Sequence, residues 1–559
     1  MGSPSTSTEI TAISDQLVAD MAAASPILAT YVGVRGHDHV LDDLSPAGLE
    51  RNHQIAVDAR RRFQDAVAVD ERDEVARAVA VERLEVEIDR YESGWAHATL
   101  NVIESPVQLV RQIFDLMPTD TAEDREAIAA RLTAVPAALA GYRTSLALAA
   151  DRGQVSAVRQ IDKAAEQCRV FAGRDGGGFF TELVAGMGQE GTLGERLRSG
   201  ADAAAAAYAD LAVFLVRELR GVAPERDAVG RERYVLASRE FLGATVNLEE
   251  TYRWGWDEFL SLERELTEVA HRITSGEGPV RAAEVLDADP SYRVEGTDGL
   301  AAWMQQLSDQ AIDELGRSHF EIPEPIRTLE CRIAPPGGGV GAYYTGPSDD
   351  FSRPGRMWWS VEPGRTTFPT WREATIVYHE GVPGHHLQVA TAVHERGLTD
   401  FQRLLAGTSG HAEGWALYAE RLVRELGYLE DDGRLLGLLD SQLFRAARVV
   451  VDIGMHLELP IPAGTGFHEG ERWTPALGLE FLLTRTLTDP AHVRDEVDRY
   501  LGWPGQAPSY KVGERVWLTG REDARRRHGS AFDLKDFHTR ALRLGGMGLD
   551  PLAAALGRL

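Results

Sequence analysis

Between about Leu435 and Leu457 the chain is apolar on almost every helical face, through Leu443, Phe444, Ala446, Ala447, Val449, Val450, Val451, Ile453 and Met455. A helix without a polar side has to be enclosed by protein. That demand excludes a small domain and calls for a shell of other elements. The chain can supply one: 559 residues, 43% of them hydrophobic, suffice for two to four packing units or one large two-lobed fold around a cleft. One stripe breaks the apolar surface, where Arg448, Asp452 and His456 follow Arg445 by three, seven and eleven residues. Buried charge is costly unless it is paired or faces a wet cavity. This face is therefore expected to line a cleft, with an internal ion-pair network as the alternative.

The first half reads as helix after helix. Val81, Leu84, Ile88 and Tyr91 recur at helical spacing up to Gly94, and Leu211, Phe214, Leu215 and Leu219 do so before Gly221 and Pro224. Near residue 325 the period changes: Leu329, Cys331 and Ile333 alternate with polar neighbours, as in a half-buried strand. Pro335 to Gly339 demands a turn, and the aromatic stretches at Tyr343–Tyr344 and Met357–Trp359 complete a small sheet. A long irregular loop over 325–365 is the alternative. Helices resume at Trp371.

The net charge of −27 (59 Lys and Arg against 86 Asp and Glu) repels phosphate backbones and anionic lipid heads. Neither nucleic acid nor a membrane is an expected partner. No apolar run is read as long enough to span a bilayer, the N-terminal residues lack an apolar core, and two cysteines fit a reducing compartment. A cytoplasmic location is the resulting expectation; the oligomeric state stays open.

The chemistry is concentrated in Tyr378-His379-Glu380-Gly381-Val382-Pro383-Gly384-His385-His386. It is expected to close a helix that Thr370 and Glu373 begin as a capping box. A hydrolytic zinc site needs three protein ligands and an open position. A His–Glu pair supplies one imidazole and a carboxylate that can take a proton from water. The usual second histidine comes four residues after the first, whereas here it comes six or seven later. Unbroken helix geometry favours His386, and a proline bulge that absorbs two residues favours His385. The third ligand is expected from Glu413, on the next helix, with Glu420 seven residues on as a group orienting a histidine.

With such a metal, Glu380 is the expected general base. Arg448, His456 and Tyr510 are candidate catalytic groups as oxyanion donors, and Arg445, Tyr343 and Tyr344 are candidate substrate-binding groups. The ion is expected to be zinc ahead of iron(II) or manganese(II). Two histidines and a carboxylate also make the site of non-haem iron oxygenases, although an oxygenase has no need of Glu380. A non-catalytic helical binding protein is the third reading.

These motifs, with the Glu413-Gly-Trp-Ala-Leu-Tyr-Ala-Glu420 block, the Arg445…His456 stripe and Ser509-Tyr510-Lys511, resemble those of the bacterial family called domain of unknown function 885. That family looks like a distant relative of the helical zinc peptidases of the thimet-oligopeptidase and thermostable-carboxypeptidase groups. The resemblance implies a mainly α, two-lobed, zincin-like metallopeptidase fold with a small sheet beside a deep active-site cleft. It implies one domain over 1–559, with a mainly helical lobe at 10–325 and the sheet and metal-binding helices at 326–559. It further implies zinc and hydrolysis of a peptide or amide bond in a short peptide or small amide, with His379 and Glu413 as ligands and Glu380 as base.

Overall fold

The computed structural model describes residues 8–173, 178–334, 341–362 and 364–559. These residues are mainly helical, with a small sheet, and form two compact units. One takes in the chain up to Leu236 together with Asp495–Pro504; the other comprises Ala237–Arg494 and Gly505–Leu559. The units therefore part well before the expected boundary at 325/326. That change of texture marks where the sheet begins, inside the second unit.

The first unit is built of helices, several of them with side-chain caps at their starts. Asp70 accepts the backbone N–H of Asp73 and opens the helix Glu71–Glu92, which buries Leu84 and Ile88 and ends before Gly94 at φ 85°. The helix Gly191–Phe214 continues through a widened turn at Leu215–Leu219 to Val222. By length and composition this stretch is apolar enough to cross a bilayer, which corrects the reading that no run reaches that length. Its Leu197, Ala201, Ala204, Tyr208 and Leu211 form the unit's core with Leu132, Val135 and Leu139 of the helix Ala122–Asp151.

The second unit is organised around the apolar helix, which spans Asp432–Leu457 and is buried along nearly its whole length. The helices Leu248–Thr274, Thr370–Glu380, Ser409–Glu425, Pro475–Arg485 and Ser509–His528 pack around it. Two crossings are too close for side chains. A Cβ on Gly255 would stand 2.8 Å from Val449, and one on Gly437 would stand 2.2 Å from the Trp371 carbonyl oxygen.

The expected sheet is present. Strand β1 (Arg293–Glu295) pairs antiparallel with β5 (Thr367–Pro369). Strands β2 (Leu329–Ile333), β3 (Gly341–Thr345) and β4 (Gly355–Ser360) form a second sheet in the order β2-β4-β3, with β2 parallel and β3 antiparallel to β4. The turn expected at Pro335–Gly339 lies outside the described residues. The capping box is not formed: the helix begins at Thr370 itself, after Pro369, without a side-chain cap. Pro369 is held extended by pairing with Arg293, so the chain turns helical one residue earlier than expected.

Candidate metal centre

The motif is two helices and not one bulged helix. The helix Thr370–Glu380 ends at Glu380, Gly381–Gly384 turns the chain, and a new helix, His385–His394, starts at the second histidine. The turn is tight because it is glycine. A Cβ on Gly384 would lie 1.9 Å from the His379 carbonyl oxygen, and one on Gly381 would lie 2.6 Å from that of Val377. His379 thus sits in the last turn of one helix and His385 in the first turn of the next, facing each other with ring centroids 4.8 Å apart.

Glu413 reaches the pair from the helix Ser409–Glu425, whose start is capped by Thr408. Its Oε2 lies 3.3 Å from His379 Nε2 and 3.5 Å from His385 Nε2. One ligand atom from each of the three residues falls within 4.8 Å of the other two. Of the two histidines left open by the spacing, the structure brings His385, and not His386, together with His379 and Glu413. His386 points the other way, with Nε2 2.7 Å from the Ile326 carbonyl and Nδ1 2.9 Å from the Tyr344 hydroxyl. Both its nitrogens are occupied by protein, and burial pushes its pKa down to about 4, so the ring is held neutral.

Glu420 lies against His379, where the expected orienting role would place it. It is fully buried, and its Oε1 lies 2.7 Å from His379 Nδ1. The other oxygen, Oε2, receives the Gln442 side-chain amide at 2.7 Å. Sequence reasoning missed Gln442. The signal was its place one turn before Arg445, as a polar residue in an otherwise apolar helix.

The electrostatics favour positive charge among these side chains. Burial opposes charge on His379, but the Glu413 and Glu420 carboxylates outweigh it and raise its pKa to about 10. Burial likewise opposes charge on Glu413, yet the two imidazoles hold its carboxyl well below the ordinary range. Glu380, buried beside them, is shifted up by desolvation and by Glu413, against the pull of His385, His379 and Arg445. Glu413 Oε2 is buried and receives no hydrogen bond, although it stands between two imidazole nitrogens. Three converging lone-pair donors, one of them an orphaned carboxylate oxygen, fit a divalent ion of the zinc class. The His385 side chain remains 13% exposed and that of Glu413 22%, so the centre is reachable.

The remaining candidates are more scattered. Arg445 is half-buried, donates to the Ser441 hydroxyl at 2.9 Å, and is close enough for its charge to be felt at Glu380. Arg448 lies between the rings of Phe444 and Tyr510, 4.9 and 4.8 Å from their centroids. Asp452 and His456 are wholly buried; Asp452 accepts the Gly505 N–H, and His456 faces Asp452 at 3.9 Å. Eleven residues of helix put His456 about 16 Å along the axis from Arg445. The structure gives His456 a place in the interior, beside Asp452. Tyr344 is tied to His386, and its burial raises its pKa. Tyr343 is 40% exposed and stacks on Trp358 across β3 and β4.

No curated protein sequence matches the chain. Two solved structures match it over nearly its whole length. One, from Colwellia psychrerythraea, has a TM-score of 0.83 at 19% identity and covers 99% of both chains. The other, from Shewanella oneidensis, has a TM-score of 0.75 at 17% identity and covers 97% of this chain and 98% of its own. At such identity the likeness is one of fold. Both are described as a "putative lipoprotein", the second of unknown function. That corrects the expectation of a cytoplasmic location, because the same fold occurs in proteins described as lipoproteins. Residues 26–556 match the family described as bacterial protein of unknown function, DUF885, and the chain belongs to that family.

Proposed function

We infer that this protein is a metal-dependent hydrolase that cleaves a peptide or amide bond in a short peptide or small amide. The observation that carries the reading is the convergence of His379, His385 and Glu413 within 4.8 Å, with Glu380 buried next to His379. These three residues would hold a zinc ion, which when bound supplies Lewis acidity and makes a water molecule acidic enough to lose its proton near neutral pH. Glu380 takes that proton at its carboxylate and returns it to the leaving amine. Its burial supports the role, because desolvation moves a carboxyl towards the pH at which it can both accept and release a proton. Arg445 is the group best situated to hold a substrate carboxylate, being half-buried and electrostatically coupled to Glu380. Arg448 and Tyr510, stacked together, are the candidate oxyanion donors. A zincin-like arrangement, with this centre in a cleft that admits short substrates, belongs to the same proposal.

Glu380→Gln tests it. The variant keeps the fold and binds zinc as the parent does, while turnover of a responsive dipeptide or aryl-amide falls by about 10²–10⁴-fold, the usual worth of a general base. Parental turnover in that variant would reject the mechanism.

A further inference from the structure

Behind His379 the hydrogen bonds continue away from the metal centre. Lys511, one of only three lysines in the chain, is fully buried in the helix Ser409–Glu425's neighbour, Ser509–His528. Its Nζ lies 2.8 Å from Glu258 Oε1, 2.8 Å from Gln442 Oε1 and 2.5 Å from Glu514 Oε2. An ammonium has three donors and no acceptor, so all three are spent here and the Gln442 oxygen has to accept. Arg421 bridges the same two acids, 2.8 Å from Glu514 and 2.9 Å from Glu258. Lys511 and Arg421 together balance Glu258 and Glu514, and Glu420 is left to Gln442 and His379.

The direction of the chain follows. A glutamine amide can in general be turned either way, its oxygen and nitrogen being near-isosteric. Lys511 removes that freedom: with the oxygen towards Nζ, the Gln442 amide nitrogen faces Glu420 Oε2 and can only donate. Glu420 accepts there, and at Oε1 it faces His379 Nδ1 at 2.7 Å. A carboxylate that accepts at both oxygens keeps the proton on Nδ1 and leaves Nε2 as the lone pair of the ring. Nε2 is the atom that faces Glu413 and His385.

We propose that Lys511, through Gln442 and Glu420, sets the direction of this hydrogen-bond chain and so holds His379 in the tautomer that offers Nε2 to the metal. Lys511 and Gln442 are positioning residues, and the inference rests on the metal-site reading above. Lys511→Met strips two buried carboxylates of a partner and threatens the fold, so the sharper test reverses the polarity one residue along. Gln442→Glu is isosteric and keeps an oxygen for Lys511, but sets a carboxylate oxygen against Glu420 where a donor was. The exchange Glu420→Gln with Gln442→Glu restores a donor facing an acceptor and still gives His379 Nδ1 an oxygen.

The readout is Zn²⁺ affinity, by competition with a chromophoric chelator, on protein whose melting temperature shows it folded. Gln442→Glu is expected to bind Zn²⁺ about 10–100-fold more weakly, the usual cost of disturbing a ligand's outer partner. The exchange is expected to recover most of that loss. Parental affinity in Gln442→Glu, or an exchange that stays as weak, would overturn the proposal. If Gln442→Glu does not fold alone, the exchange decides by itself: near-parental affinity supports the relay and lost affinity sinks it. His379→Ala separates the two readings. Parental Zn²⁺ binding in that variant would remove the metal site itself, whereas loss there with an unaffected Gln442→Glu would remove only the relay.

Discussion

Adjacent histidines, His385 and His386, have opposite fates, and the difference is decided by partners far away in sequence. His385 begins a helix facing His379, while His386 is captured by the Ile326 carbonyl and the Tyr344 hydroxyl. Their substitution should separate metal binding from stability. His385→Ala is expected to lose Zn²⁺ affinity by more than about 100-fold, beyond the cost of an outer partner. His386→Ala is expected to hold Zn²⁺ nearly as the parent does and to lose about 2–3 kcal/mol of stability, through a cavity and two orphaned partners. Chelator competition and urea unfolding measure the two; the reverse pattern would make His386 the ligand. A second prediction concerns His538, fully buried with Nε2 2.7 Å from the Tyr418 hydroxyl and its pKa pushed by burial to about 3. Its folded value lies below the unfolded one of roughly 6.5. The stability it contributes is complete above pH 6.5 and is lost as pH falls towards the folded value, because only the unfolded chain takes up the proton. His538→Gln, which can still meet Tyr418, should lose about 1–2 kcal/mol less than the parent between pH 7 and pH 5, by urea unfolding at both. An identical pH dependence would mean that this imidazole is not held neutral.

Among the elements, the helices were legible because their apolar residues recur at the helical period, as at Leu84 and Ile88, whereas the one capped start expected, at Thr370, is not formed. Strand β2 was legible from its alternation. The break at Gly381–Gly384 was not. A proline after glycine allows either a bulge or a stop, and the choice depends on what the next helix packs against. The close crossing of Ser409–Glu425 and Ser509–His528 was equally hidden, since it depends on glycines one hundred residues apart. A Cβ on Gly414 would lie 2.4 Å from the Gly513 Cα, and one on Gly513 would lie 1.9 Å from the Gly410 carbonyl oxygen. That contact sets Lys511 and Glu420, on these two helices, either side of Gln442. Gly414→Ala is therefore expected to destabilise the protein by about 1–3 kcal/mol, as overpacking does, despite alanine's better helix propensity. Thermal melting measures it. A variant as stable as the parent would mean that the two helices have room to part.

At the scale of the whole molecule, the apolar helix called for an enclosing shell of other elements, and Asp432–Leu457 is buried along nearly its whole length within the second unit. The stripe on that helix was read as lining a cleft, with an internal ion-pair network as the alternative, and its members differ in their surroundings. Arg445 is coupled to Glu380, while Asp452 and His456 are wholly interior. Charge at helical spacing says which residues share a face and nothing about where along its length that face meets the site. The division into units was likewise illegible, because Asp495–Pro504 leaves the second unit to join the first, and no local signal marks a chain that crosses over. What joins these levels is the proposal that a divalent ion is held by His379, His385 and Glu413, where two helix ends and a third helix converge. The direct measurement is the zinc content of purified protein after dialysis, by mass spectrometry of the metal, for the parent and for Glu413→Ala. One equivalent of zinc per chain in the parent and almost none in the variant is the predicted result; a parent that retains no divalent metal when zinc is supplied, or a variant that retains as much as the parent, would contradict it.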